Sequence, residues 1–428
     1  MSGSGTTELR QRSFRLVCPE HHAPLVEALL AAQGFAFEPE PFHPLTRRCI
    51  AAPLALGASL AAFFGYIYIQ DRSSMLPPLA LNPPRGARVL DMCASPGSKT
   101  GLLAQLVGPD GFVLGNEPSR DRHATLRQNL AHCNLVNTAT CSYPGQRLPM
   151  ADGSWEYIQL DPPCSGWGTT DRHPKVMELW RDDKVEPLIA LQRELLAEAA
   201  RLLAPGGRVL YSTCTTNVRE NEEQVRLAVE SLGLVLEPLT PFPGFVFDAP
   251  LLPCAEGALR VNGDRSEAQG FYLAALRKPG HAPAAMPGPD DPGLAGKGEA
   301  LDRGLLCADT AACDRLPDGA LRRFGDTVFF LHHQALAALP HTLAWQGFPL
   351  GRMGKAGFRR NARLRVLLPD HAPGLGLDLD DAAPLAALLT GQSLTPGAPL
   401  PKEAGLYFRG LPLGWLRVKG NRVLWAER

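Results

Sequence analysis

None of the ten cysteines stands in a Cys-x-x-Cys pair, and Cys307 and Cys313 are too loosely spaced to supply one. No metal site is therefore expected. Net charge is also missing, because 43 basic and 43 acidic side chains cancel. A bulk attraction for polyanions is excluded, and only a local basic patch could provide one. The opening residues, Met1 to Glu8, lack the basic and apolar regions of a secretory signal. With free thiols, this leads to the expectation of a reduced, cytoplasmic protein. One run without charge does occur, from Ile50 to Gln70, and its length would cross a bilayer. It is rich in alanine, is interrupted by Pro53, Gly57 and Gly65, and ends in Asp71-Arg72. It reads as buried core, not as a membrane span. No internal repeat is present.

What is there is an ordinary globular composition, 45% hydrophobic and 20% charged over 428 residues, enough for two or three domains in a monomer. Residues 1–48 form a small opening unit with a helix over 25–32. From 49 to 277, strand-like runs alternate with helical patterns. Strands are expected at 89–91, 112–116, 158–160 and 208–212, and helices at 99–107, 119–132 and 187–203. Such alternation implies an α/β fold, a doubly wound and mostly parallel sheet covered by helices. Residues 278–300 hold five prolines and five glycines and read as a linker. Residues 301–428 read as a separate, β-rich unit.

The loop Asp91-Met92-Cys93-Ala94-Ser95-Pro96-Gly97-Ser98-Lys99-Thr100 joins a strand end to a helix start. Its small residues let a ligand approach free backbone N–H groups. Ser98 breaks the Gly-Lys-Ser/Thr order of a phosphate-binding loop, which excludes that class of nucleotidase, and Gly-x-Gly-x-x-Gly is absent. Glu117 closes the next strand, where an acid can bond both ribose hydroxyls of a nucleoside.

Two cysteines stand apart from the others. Cys164 lies in Asp161-Pro162-Pro163-Cys164-Ser165-Gly166, and Cys214 in Tyr211-Ser212-Thr213-Cys214-Thr215. If 158–160 and 208–212 are the fourth and fifth strands, both loops meet near the switch point, beside the cofactor loop. That constellation suits attack on a pyrimidine. A thiolate adding to carbon 6 makes carbon 5 nucleophilic, and an acid, Asp161, serves ring nitrogen 3. Cys18, Cys49, Cys133, Cys141 and Cys254 read as small buried hydrophobes, and Cys93 as packing.

At these residues the chain resembles the Sun family of RNA cytosine-C5 methyltransferases. The resemblance runs from about residue 42 to 277 and extends more weakly into the tail. It rests on Gln70 to Met75, Pro96 to Thr100, Asp161 to Gly166, Pro205-Gly206-Gly207, Ser212-Thr213-Cys214 and Glu220-Asn221-Glu222. It implies a class I S-adenosylmethionine-dependent methyltransferase core with a small N-terminal α/β extension and a C-terminal β-rich RNA-binding module similar to a small β-barrel. It further implies Cys214 as nucleophile, Cys164 assisting proton removal and release, and Asp161 contacting the base. Cys93, Ala94, Ser95, Pro96, Gly97, Ser98, Lys99, Glu117, Arg122 and Asp161 would hold S-adenosylmethionine. Asn217 and Glu220 look like a capped helix start, with Glu220 and Asn221 structural. In similar proteins an acid follows the third strand. Here the position falls on Pro144, with Ser142 as a substitute.

In the tail, Arg352, Lys355, Arg359, Arg360, Arg363 and Arg365 occur without an acid among them, and Phe358 is interleaved. A run of this kind can track phosphates while the aromatic stacks on a base. The expected partner is RNA, ribosomal ahead of transfer RNA, with the target base leaving its stack. Two rivals remain. One is a DNA cytosine methyltransferase using Cys164, which leaves Cys214 unexplained. The other is an RNA-binding assembly factor without catalysis, which only Pro144 favours.

Overall fold

The computed structural model describes residues 12–170, 184–281, 298–306, 316–355, 357–370, 374 and 376–427. Met1 to Glu8, most of the expected linker, Cys307 and Cys313 lie outside the described residues.

The chain opens with a four-stranded antiparallel sheet of β1 (Ser13–Leu16), β2 (Ala36–Pro39), β3 (Thr46–Ala51) and β4 (Ile67–Ile69) in the order β2-β3-β1-β4, with a helix over Ala23–Ala31. The boundary expected at 48 cuts β3. The reason is pairing: β1 bonds to both β3 and β4, so the sheet is incomplete before residue 69. The uncharged run from Ile50 supplies β4 and the buried Leu56, Ala61 and Phe64. Among the described residues no helix is long and apolar enough to cross a membrane.

The central sheet carries β5 (Arg88–Asp91), β6 (Phe112–Asn116), β7 (Thr138–Cys141), β8 (Trp155–Leu160) and β9 (Leu203–Thr213), all parallel, in the order β9-β8-β5-β6-β7. Beyond β9 follow β10 (Val235–Glu237), β11 (Phe247–Asp248), β12 (Leu259–Val261) and β13 (Phe271–Arg277), with β13 antiparallel to β9. The alternation of strand side chains fills two layers. Val89, Val113 and Leu210 pack with Leu103 and Leu126 of the helices Ser98–Val107 and Arg120–His132. Leu90, Leu114 and Ile158 pack with Leu195 and Val225 of the helices Glu186–Leu202 and Glu222–Ser231. This is the doubly wound arrangement, with its switch point between β5 and β8.

The C-terminal part forms two sheets. Strands β14 (Glu299–Leu301), β15 (Gly319–Phe324), β16 (Thr327–His332), β18 (Phe348–Gly354) and β19 (Gly357–Arg360) make one. Strands β20 (Gly376–Leu379), β21 (Glu403–Phe408), β22 (Leu411–Lys419) and β23 (Arg422–Trp425) make the other. Strand β14 begins at Glu299, inside the stretch read as linker. Nor is this part a separate unit. Strand β17 (Trp345–Gln346) pairs with β7 and widens the central sheet. Leu406, Phe408, Leu413 and Trp425 share one core with Phe14, Leu29 and Phe64. Neither the N-terminal sheet nor the last sheet is large enough to bury its own apolar face, so the two cover each other.

Candidate active site

Parallel pairing of β5, β6, β8 and β9 delivers Asp91, Glu117, Asp161 and Cys214 to one edge of the central sheet, at the strands' carboxyl ends. The sulfurs of Cys164 and Cys214 stand 3.3 Å apart, both residues half-buried. Their surroundings are unequal. Cys214 is held below the ordinary thiol range by the Cys164 S–H, against burial and Asp161, with the Lys99 ammonium assisting. Cys164 is pushed well up by the same hydrogen bond, then by burial and by the carboxylates of Asp161 and Glu220. Both shifts run the same way, favouring negative charge on Cys214 and the proton on Cys164. Elsewhere burial, the largest cause in each case, raises Cys18 and Cys141 to about 12, and Cys49 and Cys133 also go up. Cys93 is raised by burial and by the carboxylates of Asp91, Asp161 and Glu117, against Arg122, so its thiolate is disfavoured. Cys254, expected to be buried, is half-buried.

Asp161 has a partner on each oxygen. Lys99 Nζ donates at 2.7 Å and Ser212 Oγ at 2.8 Å. Burial works against the Lys99 charge, yet Asp161, with Cys214 and Asp91, more than offsets it and holds the ammonium above its usual value. Lys99, expected with the cofactor set, thus serves the acid beside the cysteines.

Glu220 ties the two cysteine loops together. It is fully buried and accepts from Ser165 N at 2.9 Å, Gln192 Nε2 at 3.0 Å and Asn217 Nδ2 at 3.1 Å, and from the Ser165 hydroxyl. Ser165 follows Cys164, and Asn217 lies just past Cys214. Gln192 also bonds the Pro163 carbonyl at 2.9 Å. The expectation that Asn217 and Glu220 cap a helix is corrected. The helix starts at Glu222 after Asn221, and the Asn221 amide bonds Thr213 and Thr215. Gly168 makes a further close contact between the two loops. A Cβ there would stand 2.8 Å from the Cys214 carbonyl, to which its own N–H donates. Gln192, Ser165 and Gly168 were missed by sequence reasoning. Gln192 carries no local signal, since it sits mid-helix and acts across 28 residues of chain.

Beside this corner, Asp91 is buried, with one oxygen accepting from Thr100 Oγ1 at 2.6 Å and the other without a partner. Burial pushes its carboxyl up to about 6, against the Thr100 hydrogen bond and Lys99. Ala94 and Gly97 are buried and Cys93, Ser95 and Ser98 half-buried, whereas Pro96 is exposed. Gly97 sits at φ +104, where a side chain would be strained. Ser95 Oγ donates to the Arg122 carbonyl at 2.9 Å, and Asn129 Nδ2 to Pro96 O at 2.8 Å, fixing the loop from behind. The buried Glu117 carboxylate accepts from Ser119 N at 2.9 Å and pairs with Arg122 at 3.3 Å. An unsatisfied buried carboxylate oxygen, a loop without bulk and a second carboxylate one strand away fit a cationic nucleoside such as S-adenosylmethionine. Past β7, Ser142 and Pro144 are exposed, and the Ser142 hydroxyl turns to the Pro118 carbonyl at 3.4 Å.

The arginine run does not form one strip. Arg352, Lys355 and Arg359 are exposed. Arg360 lies over the Trp415 ring at 4.0 Å and pairs with Glu403, and Arg363 lies over Phe63 and pairs with Glu427. Arg365 as an RNA contact is overturned. It is 7% exposed and donates to the carbonyls of Phe64, Gly65, Val17 and Cys133, because the chain turns inward after β19.

The chain is similar to known methyltransferases. The family model described as 16S rRNA methyltransferase RsmB/F matches residues 78–277. The ribosomal RNA small subunit methyltransferase F of Salmonella heidelberg is 38% identical over 270 residues, 61% of this chain and 56% of that protein. Its namesake from Cronobacter sakazakii is 37% identical over 262 residues, 59% of this chain and 53% of that one. The match thus spans little more than half the length of these curated relatives. A solved methyltransferase homolog protein from Pyrococcus horikoshii is 30% identical, covers 63% of this chain and 86% of its own, and superposes with a TM-score of 0.54. NSun6 from the same organism, solved with SFG, is 19% identical with a TM-score of 0.55 over 63% of this chain and 91% of its own, a likeness of fold alone.

Proposed function

We propose that this chain, which belongs to the RsmB/F (Sun) methyltransferase family, methylates carbon 5 of cytosine in RNA, ribosomal RNA before transfer RNA. The observation that carries the reading is the pair of sulfurs at 3.3 Å beside the Lys99–Asp161 pair. An isolated cysteine needs neither a thiol donor nor an ammonium. A thiolate nucleophile gains from both.

S-adenosylmethionine, held by Asp91, Glu117 and the loop from Cys93 to Ser98, supplies the methyl group for carbon 5. The chain's own groups do the rest. The Cys214 thiolate forms a bond to carbon 6, and the ring's 5,6 π electrons move toward carbon 5. Asp161 meets the polar edge of the cytosine, where the exocyclic amine is a donor. The Lys99 proton behind it stabilises charge growing at nitrogen 3. Once carbon 5 is substituted, its proton passes to a water molecule beside Cys164, whose thiol donates to the departing Cys214 sulfur. The electrons restore the 5,6 double bond, and the Cys214 sulfur departs as thiolate.

Transfer of labelled methyl is the test, with unmodified ribosomal RNA, transfer RNA and duplex DNA offered in parallel and the products digested to nucleosides. Label in 5-methylcytosine from ribosomal RNA is expected. Label in DNA alone, or none despite RNA binding, overturns the proposal. The latter would make Pro144 a mark of an assembly factor. Cys164→Ala should accumulate a covalent protein–RNA adduct and Cys214→Ala none, and the reverse pattern would exchange their roles.

A further inference from the structure

A cavity of about 530 Å³ lies where the central sheet meets the C-terminal five-stranded sheet. That volume suits a small-molecule-sized ligand. None of Asp91, Cys93, Glu117 or Asp161 lines it. One wall is Ser142 and Tyr143, just past β7, and another is Trp345 and Gln346 of β17. The third is the face of β16 that carries Phe329 and Leu331, while Val328 and Phe330 turn into the C-terminal core. Phe324 meets Phe329 edge-on, ring centroids 6.0 Å apart, and is itself 36% exposed. Phe329 also borders a second cavity of about 420 Å³, which Arg127, Arg352 and Arg359 line. None of these three guanidiniums has an ion-pair partner among the described residues.

We infer that the two cavities together take one nucleotide of single-stranded RNA. Its base lies among Tyr143, Phe329 and Trp345, and its phosphate on the three arginines. The inference rests on RNA being the substrate. Rings beside unpaired guanidiniums match a ligand that is planar at one end and anionic at the other. Unpaired bases in RNA are held by such stacking, with basic side chains along the backbone. An apolar protein partner would leave the arginines without counter-charge. The Ser142 hydroxyl and Gln346 amide offer hydrogen bonds to a base edge. This base is not the target. Strand β7 lies four strands from β9, roughly 20 Å along the same carboxyl edge. The site therefore holds an unpaired neighbour of the cytosine and sets a preference for a single-stranded context around it.

The probe is a short single-stranded RNA of mixed sequence carrying 5-iodouridine, irradiated with the full chain and mapped by mass spectrometry. Crosslinks are expected on Tyr143, Phe324, Phe329 or Trp345. Phe324→Ala and Trp345→Leu should each weaken affinity for this RNA roughly tenfold. Arg352→Ala should flatten the dependence of log affinity on log salt by about 0.7. Crosslinks only at other residues, with both ring variants binding as before, would overturn the inference. So would loss of S-adenosylhomocysteine binding in the ring variants, which would give the cavity to the methyl donor. Should Trp345→Leu unfold the sheet edge, Phe324→Ala, at an exposed position, decides alone. Crosslinking needs no methyl transfer. Crosslinks without labelled cytosine would sink the proposed function only. Labelling with KM unchanged in the ring variants would sink the site only.

Discussion

The two-cysteine corner and the segment from Arg352 to Arg365 are both crowded with polar side chains, and they deploy them in opposite ways. In the corner every charge but one is matched from within. Lys99 answers Asp161, and Glu220 takes five donors inside the core. In the arginine segment the matching depends on which way each residue faces. Arg352 and Arg359 stand in solvent, whereas Arg365 reaches four backbone carbonyls from three parts of the chain. Side-chain type alone therefore does not announce a binding surface. The turn of the backbone decides whether an arginine faces solvent or holds the protein together.

The strongest way to break this contrast is Arg365→Ala. It would strip donors from buried carbonyls and lose a stack on Tyr66 at 4.0 Å. A loss of about 3–5 kcal/mol is expected in urea unfolding. Arg365→Lys should recover only part of it, since one ammonium cannot span the same acceptors. If Arg365→Ala instead unfolds like the parent chain and loses RNA affinity, the inward role assigned to it is wrong.

Glu220→Gln probes the other side. The amide replaces an acceptor oxygen with a donor facing Ser165 and Gln192, so stability should fall by about 1–3 kcal/mol. The larger effect is on geometry. With the loops loosened, kcat should drop while KM for RNA holds, and alkylation of Cys214 should need higher pH because the Cys164 donor drifts away. A unchanged alkylation profile would reduce Glu220 to a packing residue.

These two residues also show how far the sequence could be read. The strands near 89, 112, 158 and 208 were legible because apolar runs bounded by glycine and proline have few other ways to fold. Asp161, Cys164 and Cys214 were legible because each lies in a short motif at a strand end. Gln192 and the inward turn of Arg365 were not. Both act through contacts distant in sequence, 28 residues for Gln192 to Glu220 and 301 for Arg365 to Phe64. The C-terminal part looked separate for the same reason. Its shared core with Phe14 and Phe64 is a tertiary fact with no local pattern.

The corner's one unmatched charge gives a smaller effect of opposite sign. Asp91 has an oxygen without a partner and a carboxyl raised from 3.8 to about 6 by burial, with Thr100, Lys99, Asp161 and Cys93 around it. Between those pH values the folded chain keeps a proton that the unfolded chain has released. Stability therefore falls as pH rises through this window and stays reduced above it. Asp91→Asn should remove that slope and raise stability by about 1–3 kcal/mol above pH 6, with no gain below pH 4. Affinity for S-adenosylhomocysteine should fall in the same variant. A variant no more stable above pH 6 would mean that the charge is already satisfied in the folded chain.

The smallest effect sharpens the comparison most. Lys355 and Arg359 are exposed, have no ion-pair partner among the described residues, and flank the ring of Phe358. Replacing either with alanine removes no buried contact, so stability should change by less than about 0.5 kcal/mol. Each charge lost should still flatten the salt dependence of RNA binding by about 0.7, because a phosphate contact releases counterions whether or not it supports the fold. Arg365→Lys, which keeps the charge, should destabilise the chain and leave that slope alone. Two basic residues six positions apart would then separate cleanly, one read by denaturant and the other by salt. If both variants moved the same observable, the segment would be working as a single surface after all.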